Sequence, residues 1–547
     1  MRPREGRRAL AAAVAGVVCA WGASSTLLAC TSYRDDCWEV MECAPAPEPT
    51  FCDGDPATTM ALDECGVFVS PLSGDDRSPG TKDAPVKTLQ HAIGIAAGGR
   101  GNGEAPTRRV YACSGLFEEQ VTLPSGVDLW GSRFCDDGGD WSYEGSFGGP
   151  DHPTIIAPPG GIPLRVLGVE DAELAEDDAE SVIFGVRVEA ADASADDGKS
   201  SIAMLLSSRA RAIVRDSQVI AGNGKDGEPG EDARSEPANG GVRGNDGADA
   251  CTADFAKGAD PVMTVCDDGI ESTGGPGGYG DIESGGDGAA GQPVPAENPE
   301  GYGLGGTGAG SAHCSAGADG MDGLDGGRAA GAVGIGQLSI VGWIGVRGED
   351  GKKGGVGQAG GGGGGSKSRG EMTACPASRP QAGAAGGSGG SGGCGGQGGK
   401  GGGYGGASIG IMALQESALT LDRTEVFAGD GGSGGVGGTG QPGGVGRQGG
   451  WGGVGFGTEM WVACRGGGGG NGGRGGDAGG GLGGPSYGVA SIAASVTFGP
   501  DAPAKAGTGG DGGLAGNAAP DDHVGRGLQG DSMPYRQFDV PDPPPPH

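Results

Sequence analysis

Arg209, Arg211, Arg215 and Asp216 set three guanidiniums and a carboxylate within eight residues. A positioned base beside cation-binding carboxylates is the chemistry such a set would serve. A later repeat of the same segment holds Gln415, Ala418 and Asp422 near those positions, so the charges do not recur in a column. They read as exposed strand and corner residues, and no catalytic residue is assigned. The five histidines, His91, His152, His313, His523 and His547, lack a Ser or Cys partner in a nucleophile motif, which leaves a triad without support. The glycine patterns lack the strand–turn–helix context and the Lys-Ser/Thr end of phosphate loops. "GGYGD" (277–281) approaches a calcium nonapeptide but is solitary, so no metal site and no cofactor are expected, calcium being drawn only weakly by general acidity. Trp343, Trp451, Trp461, Tyr404 and Tyr487 could stack on sugars, though such residues more often glue loops to a scaffold.

The chain opens as an export signal: Arg2, Arg4, Arg7 and Arg8, an apolar run from Ala9 to Ala20, then small residues. Leu27-Leu28-Ala29-Cys30 resembles a bacterial lipoprotein lipobox, which implies a lipidated Cys30 at the mature N-terminus. With Thr31 next, in place of the Asp that favours inner-membrane retention, the resemblance implies an outer-membrane lipoprotein, lipid-anchored at the cell surface. Losing residues 1–29 removes four Arg and one Glu, so the net charge of −33 becomes −36. Binding nucleic acid through a broad basic face is excluded. Of 14 cysteines, setting aside Cys19 and Cys30 leaves an even twelve, which in an exported chain argues for disulfides. Cys37, Cys43, Cys52 and Cys65 surround a Pro-rich "APAPEPT" and read as a stapled tether; zinc is not indicated, since paired CxxC motifs and a nearby His are missing. Cys113–Cys135 and Cys251–Cys266 are expected as local bridges, with Cys314, Cys375, Cys394 and Cys464 pairing among themselves.

The elements that would position these residues begin at Cys65. Val67-Phe68-Val69 is a short strand, "SGDDRSPGT" is turn chemistry, and Pro85 precedes a helix with Leu89, Ala92, Ile93 and Ala96 on one face. Short strands follow through 108–132. Val69-Ser70, Gly74-Asp75, Pro79-Gly80-Thr81, Pro85, Lys87-Thr88-Leu89, Ala92-Ile93, Gly115, Val121, Gly126 and Gly131 resemble the N-terminus of right-handed parallel β-helix proteins of the pectate-lyase-like superfamily, notably a bacterial surface group. The resemblance covers roughly 66–132 and is only architectural beyond. It implies an all-β, right-handed parallel β-helix with an N-terminal capping helix. "TIIAPPGGIPLRVLGV" (154–169) and "SVIFGVRVEAA" (181–191) suggest further rungs, and the acidic run 170–180 a solvated loop.

A repeat spans the rest. "SIAMLLSSRARAIVRDSQVIAGNGKDG" (201–227), "SIGIMALQESALTLDRTEVFAGDGGSG" (408–434) and "SYGVASIAASVTFGPDAPAKAGTGGDG" (486–512) each set a Ser 20 residues before an Ala-Gly pair, in a register taken as ungapped. "AVGIGQLSIVGWIGVRGEDGKKG" (332–354) reads as a shorter fourth copy. Each copy is read as two strands and one solenoid turn, so the glycine tracts leave from one corner and lie side by side. Glycine supplies 131 of 547 residues and recurs at every third position in stretches such as 431–455. Too little proline is present there for collagen. Packed polyglycine-II-like helices fit the period, with disordered loops as the alternative; the tracts look like mycobacterial PGRS repeats in composition only. The expected layout is a signal peptide at 1–29, a tether at 30–65, cap and first rungs at 66–227, a glycine-rich insertion at 228–331, rungs interleaved with glycine tracts at 332–530 and a Pro-rich tail at 531–547. The favoured function is a noncatalytic surface scaffold, structural or adhesive, whose expected partners are the membrane, through the N-terminal lipid, and polysaccharides or other surface proteins. A polysaccharide lyase or hydrolase, or a carbohydrate-binding module, is the alternative.

Overall fold

The computed structural model describes residues 51–100, 106–135, 139–144, 153–168, 179–194, 199–339, 342–369, 375–457 and 460–539. Cys30, Cys37, Cys43, His152, His547, the signal segment, most of the acidic run and the end of the tail lie outside them. The chain divides into two compact units, Met1–Asp53 and Gly54–His547, and the account that follows concerns the second.

Apolar alternation makes the strands. In Arg211–Arg215 the buried positions are Ala212 and Val214, while the residues between them reach the surface. Three sheets, all of parallel pairs, collect such segments. The first holds Val67–Val69, Arg109–Cys113, Asp128–Arg133, Ser181–Phe184, Arg211–Arg215, Ala418–Asp422 and Ser495–Phe498. The second holds Gly115–Phe117, Thr154–Ile156, Val186–Glu189, Gln218–Ile220, Glu425–Phe427 and Ala504–Lys505. The third holds Val121–Pro124, Leu164–Leu167, Ser201–Leu206, Ser408–Ala413, Ser486–Ile492 and Ser532–Phe538. From Arg109 onward the chain visits first, second and third sheet in turn, and each circuit lays one strand on every sheet.

Identical registers stack like on like. Val67, Val110, Leu129, Ile183, Val214, Leu421 and Phe498 form one column of the first sheet. Phe117, Ile156, Val188, Val219, Val426 and Ala504 form its counterpart in the second. Val121, Leu164, Met204, Ile411, Val489 and Tyr535 do so in the third. Apart from Phe498, which is exposed, these columns meet in one core, and each large aliphatic side chain buried there contributes about 1.5–3 kcal/mol. The helix Leu89–Gly98 lies over one end and buries Leu89, Ala92, Ile93 and Ala96. Its free N-terminal amides are satisfied from elsewhere in the fold: Glu119 accepts from Leu89 and Gln90, and Asp76 from Lys87 and Thr88.

Three sequence expectations need correction. Each repeat copy contains three strands rather than two, because its polar corner (Asp216-Ser217, Asp422-Arg423-Thr424) is a turn between the first and second sheets. The register is not gap-free: the spacing from second to third copy is 78 at Ser408 and Ser486 but 77 at Ala418 and Ser495, returning to 78 at Val426 and Ala504. Only the strand in the first sheet slips. The segment 332–354 adds no strand to the three sheets; Gln337–Ser339 and Gly342–Ile344 pair antiparallel with each other. Leu338 and Trp343 pack instead on the outer face of the third sheet, with Ile202, Leu205, Ile409, Met412 and Tyr487. A sheet covered on both faces needs continuous apolar strands, which "SIAMLL" and "SIGIMA" supply.

The Ser-to-Ala-Gly spacing also has a physical cause. Each leading Ser opens a third-sheet strand, and its hydroxyl bonds backbone where the chain leaves the second sheet: Ser201 accepts from Gly222 N–H, Ser486 accepts from Gly507 N–H, and Ser408 donates to the Gly222 carbonyl. The hydroxyl column closes the corner from which the glycine tracts depart.

Candidate functional site

All three long excursions, after Ile220, Phe427 and Lys505, run from the second sheet to the third. The parallel ladder does not stop where the strands do. Ala221 N–H donates to Phe427 O, Gly224 to Asp430 O, Gly227 to Ser433 O and Gly230 to Val436 O, so the bonds recur at every third residue. The same interval links Gly431, Gly434 and Gly437 to Thr508, Asp511 and Leu514.

The segment 382–407 lies at the centre of this array. Gly387, Gly390, Gly393, Gly396, Gly399 and Gly402 donate to 464–479, while Ser388, Ser391, Cys394, Lys400, Gly403 and Gly406 donate to 225–245. Residues 348–363 and 432–453 donate back to it from two other sides. Such packing requires glycine. A Cβ on Gly389, Gly395 or Gly401 would lie 1.8 Å from a neighbouring carbonyl oxygen, so each glycine CH₂ sits where Cα–H···O contacts form. The third register carries side chains because it has partners for them. Ser388 and Ser391 accept from Asn245 and Val242 N–H, Cys394 is disulfide-bonded to Cys266, and Lys400 meets Asp350 at 2.8 Å.

A second device holds the outer segments, and sequence reasoning missed it. In each of ten dipeptides among the described residues an Asp or Asn oxygen accepts the N–H of a residue on the next segment. The following Gly or Ala N–H then donates to that same residue's carbonyl. The ten are headed by Asp192, Asn223, Asp226, Asp232, Asp246, Asp249, Asp319, Asp322, Asp325 and Asp430. Asp192, Asn223, Asp430 and Thr508 run on as a continuous ladder. The signal is present as "DG" at three-residue spacing in "ADGMDGLDGG" (318–327).

Protonation tests one of these clamps, Asp430, together with two other carboxylates of the array, Asp350 and Asp477. The Thr508 N–H and hydroxyl hold Asp430 below the ordinary carboxylate range, and Lys400 with the Gly401 N–H does the same for Asp350. Burial pushes Asp477 up, but Arg474 and the Gly440 N–H outweigh it and the net shift is downward. Carboxylates depressed in the folded state stabilise it above their unfolded pKa of about 4 and lose that contribution as pH falls further. Asp128 acts oppositely, since burial raises it despite the Val182 N–H and Arg109. With more groups depressed than raised, the melting temperature is expected to hold from pH 8 to 5 and to drop below about pH 4; calorimetry that found it unchanged to pH 2 would contradict the contacts of Asp430, Asp350 and Asp477.

The disulfides tie the array together. Cys251–Cys375, Cys266–Cys394 and Cys314–Cys464 span 124, 128 and 150 residues, and Cys113–Cys135 spans 22. Cys52 and Cys65 are also disulfide-bonded. The expected Cys251–Cys266 bridge is therefore wrong, as is pairing of Cys375 and Cys394 within their group of four. Cys251 ends one array segment, whereas Cys266 belongs to the hairpin Met263–Val265 and Glu271–Thr273. That hairpin packs on the central segment, where Thr264 and Ser391 hydroxyls meet at 2.7 Å.

The charges singled out in the sequence are paired across circuits. Arg209 contacts Glu416 at 2.8 Å, Arg215 contacts Asp422 at 3.0 Å and Asp216 contacts Arg423 at 2.7 Å. Ionisable groups do stack along the rungs, contrary to the sequence reading, but as opposite charges at matching register. Arg209 and Glu416 also line an open hollow of about 580 Å³ with Arg165, Ser207 and Gln415. Arg211 lies exposed beside them, over Ala418 in register. Among the described residues no group of three or more His, Cys, Asp or Glu is placed to hold a metal ion.

The aromatic candidates separate. Trp343 is buried with its indole N–H on the Ile335 carbonyl, and Tyr487 is fully buried. Tyr404 packs edge-on against Trp343. Trp461 lies 4.1 Å from the His313 ring with Lys367 over it. Trp451 is 62% exposed and lines a groove of about 370 Å³ on the array. Most of the groove's other lining residues are glycines, and Arg447, Gln448, Arg465, Asp319 and Asp322 line it as well.

No family model, no curated protein and no solved structure matches this chain.

Proposed function

We propose that the protein is an exported, lipid-anchored, noncatalytic scaffold of the cell surface, built as a right-handed parallel β-helix that carries a slab of polyglycine-II-type helices. Adhesion through the slab is its function. The observation that carries this reading is the three-residue hydrogen-bond interval running on from the second sheet into the glycine tracts. An extended helix of three residues per turn has that interval and a rise of about 3.1 Å per residue. Side chains at every third position then project in straight rows about 9 Å apart, as Val436, Val445, Gln448, Trp451 and Val454 do on one segment. The right-handed assignment follows the strong preference for right-handed crossovers between parallel strands. A stiff, patterned surface suits multivalent attachment, because little order is lost when it binds.

Lipid anchoring at Cys30 is tested by metabolic labelling with a palmitate analogue. Wild-type protein is expected to be labelled and retained on cells, and Cys30→Ala to be unlabelled and released; equal labelling and retention of both would contradict the anchor.

A further inference from the structure

We propose that the groove at residues 446–451 docks an extended glycine-rich segment of another protein, one with glycine at every third residue. The proposal rests on the adhesive-slab reading and names the slab's partner. The groove continues a lane of the array that this chain itself fills, at the other end, with residues 508–516. There Gly431, Gly434 and Gly437 donate to the carbonyls of Thr508, Asp511 and Leu514, while Gly510, Gly513 and Gly516 donate to those of Gly484, Gly481 and Ala478. The filling segment must present glycine at that interval, since a Cβ on Gly510, Gly513 or Gly516 would lie 2.0, 2.0 or 2.3 Å from a carbonyl oxygen of the lane wall. Ala519 stands where the next such glycine would fall, and Asn517, at φ +52°, turns the chain out of the lane.

The walls of the lane run on beyond that turn. The bonds from Gly481 to Gly435 and from Ala478 to Gly438 recur from Gly469 to Arg447 and from Gly466 to Gly450. Side chains close the middle stretch, where Asp477 accepts the Gly440 N–H and pairs with Arg474, and Asn471 accepts the Gly446 N–H. Past Asn471 the lane is open. The Gly449 N–H and the Gly466 and Gly469 carbonyls continue the two rows that hold 508–516, and they have no hydrogen-bond partner among the described residues. Gly468 marks the same opening. A Cβ there would lie 3.5 Å from its nearest atom, whereas at Gly480 and Gly483, beneath the filled half, it would lie 1.9 Å from the Gly513 and Gly510 carbonyl oxygens. Backbone donors and acceptors left at a fixed interval recruit a matching backbone, as an open sheet edge recruits a strand. The open stretch takes about two turns of a helix with three residues per turn. A second folded copy offers no such segment, because its described glycine tracts are already packed in its own array.

The test is calorimetric titration of the full-length chain, in mild detergent, with a synthetic peptide of residues 507–516, "GTGGDGGLAG", capped at both ends. A second peptide carries alanine in place of the glycines at 510, 513 and 516. The first is expected to bind and the second to bind at least tenfold more weakly. Gly468→Leu sets a side chain into the open lane without meeting backbone, so it is expected to keep the wild-type circular dichroism and to weaken the first peptide at least tenfold. Absence of binding, equal binding of the two peptides by the wild type, or unchanged binding by a folded Gly468→Leu chain would each overturn the proposal. Self-association of the wild type that the first peptide reverses would give the lane to a second copy and overturn it as well. Failure of the peptide to bind while amides 382–407 stay protected from hydrogen exchange would remove the docking assignment alone, whereas loss of that protection would count against the slab itself.

Discussion

Replacing Gly395 with alanine is expected to lower stability by about 3 kcal/mol or more, at the severe end of overpacking substitutions. The new Cβ would lie 1.8 Å from the Gly354 carbonyl oxygen and 2.4 Å from its carbon. Both are backbone atoms of another buried segment, so no rotamer change relieves the clash. Gly354 in turn donates to Gly396, and displacing one segment loosens the bonds on its other sides. Gly327 is the control. No heavy atom lies within 4 Å of a Cβ built there, and Gly327→Ala is expected to be neutral or up to about 1 kcal/mol stabilising, because alanine restricts the unfolded chain. Urea midpoints of the two variants measure the difference, and equal midpoints would mean that the array is not closely packed.

Loss of the Cys266–Cys394 bridge is expected to cost about 5 kcal/mol, since it closes 128 residues, and loss of Cys113–Cys135, which closes 22, about 3 kcal/mol. The longer bridge also fixes the hairpin against the central segment, and Ser272 depends on that placement. Its buried hydroxyl accepts from Gly392 N–H and donates to the Gly357 carbonyl. The double variant Cys266→Ser, Cys394→Ser should therefore loosen the array more than Cys113→Ser, Cys135→Ser. Denaturation midpoints in the opposite order would contradict this assignment of roles.

Much of the scaffold was legible because its signals are local. The face Leu89, Ala92, Ile93 and Ala96 repeats at helical spacing, and it is the face that is buried. Strand alternation marked Val121–Pro124 and Ala418–Asp422. The 20-residue interval from Ser to Ala-Gly exposed the repeat because one hydroxyl closes each corner. What stayed hidden depends on segments distant in sequence. The hairpin at 337–344 has the apolar pattern of a rung, and only the exposed outer face of the third sheet, which it covers, decides its place. Cys251 and Cys266 are near each other in sequence, yet array packing sends them to Cys375 and Cys394. The Asp-Gly clamps were visible as spacing, but their meaning requires a neighbouring segment whose N–H and C=O they grip. Trp451 differs from Trp343 and Trp461 only in what surrounds it, which no local pattern records.

The central claim is that the glycine tracts form one hydrogen-bonded array continuous with the sheets. Amide hydrogen exchange across 382–407, read by mass spectrometry on the full-length chain, tests it most directly. Within this segment donors from more than one register of the three-residue repeat are engaged, among them Gly390, Ser391 and Gly392. Protection comparable to that of Ser408–Ala413 in the third sheet is the predicted result. Exchange at the rate of an unstructured glycine peptide, with the sheet strands still protected, would contradict it.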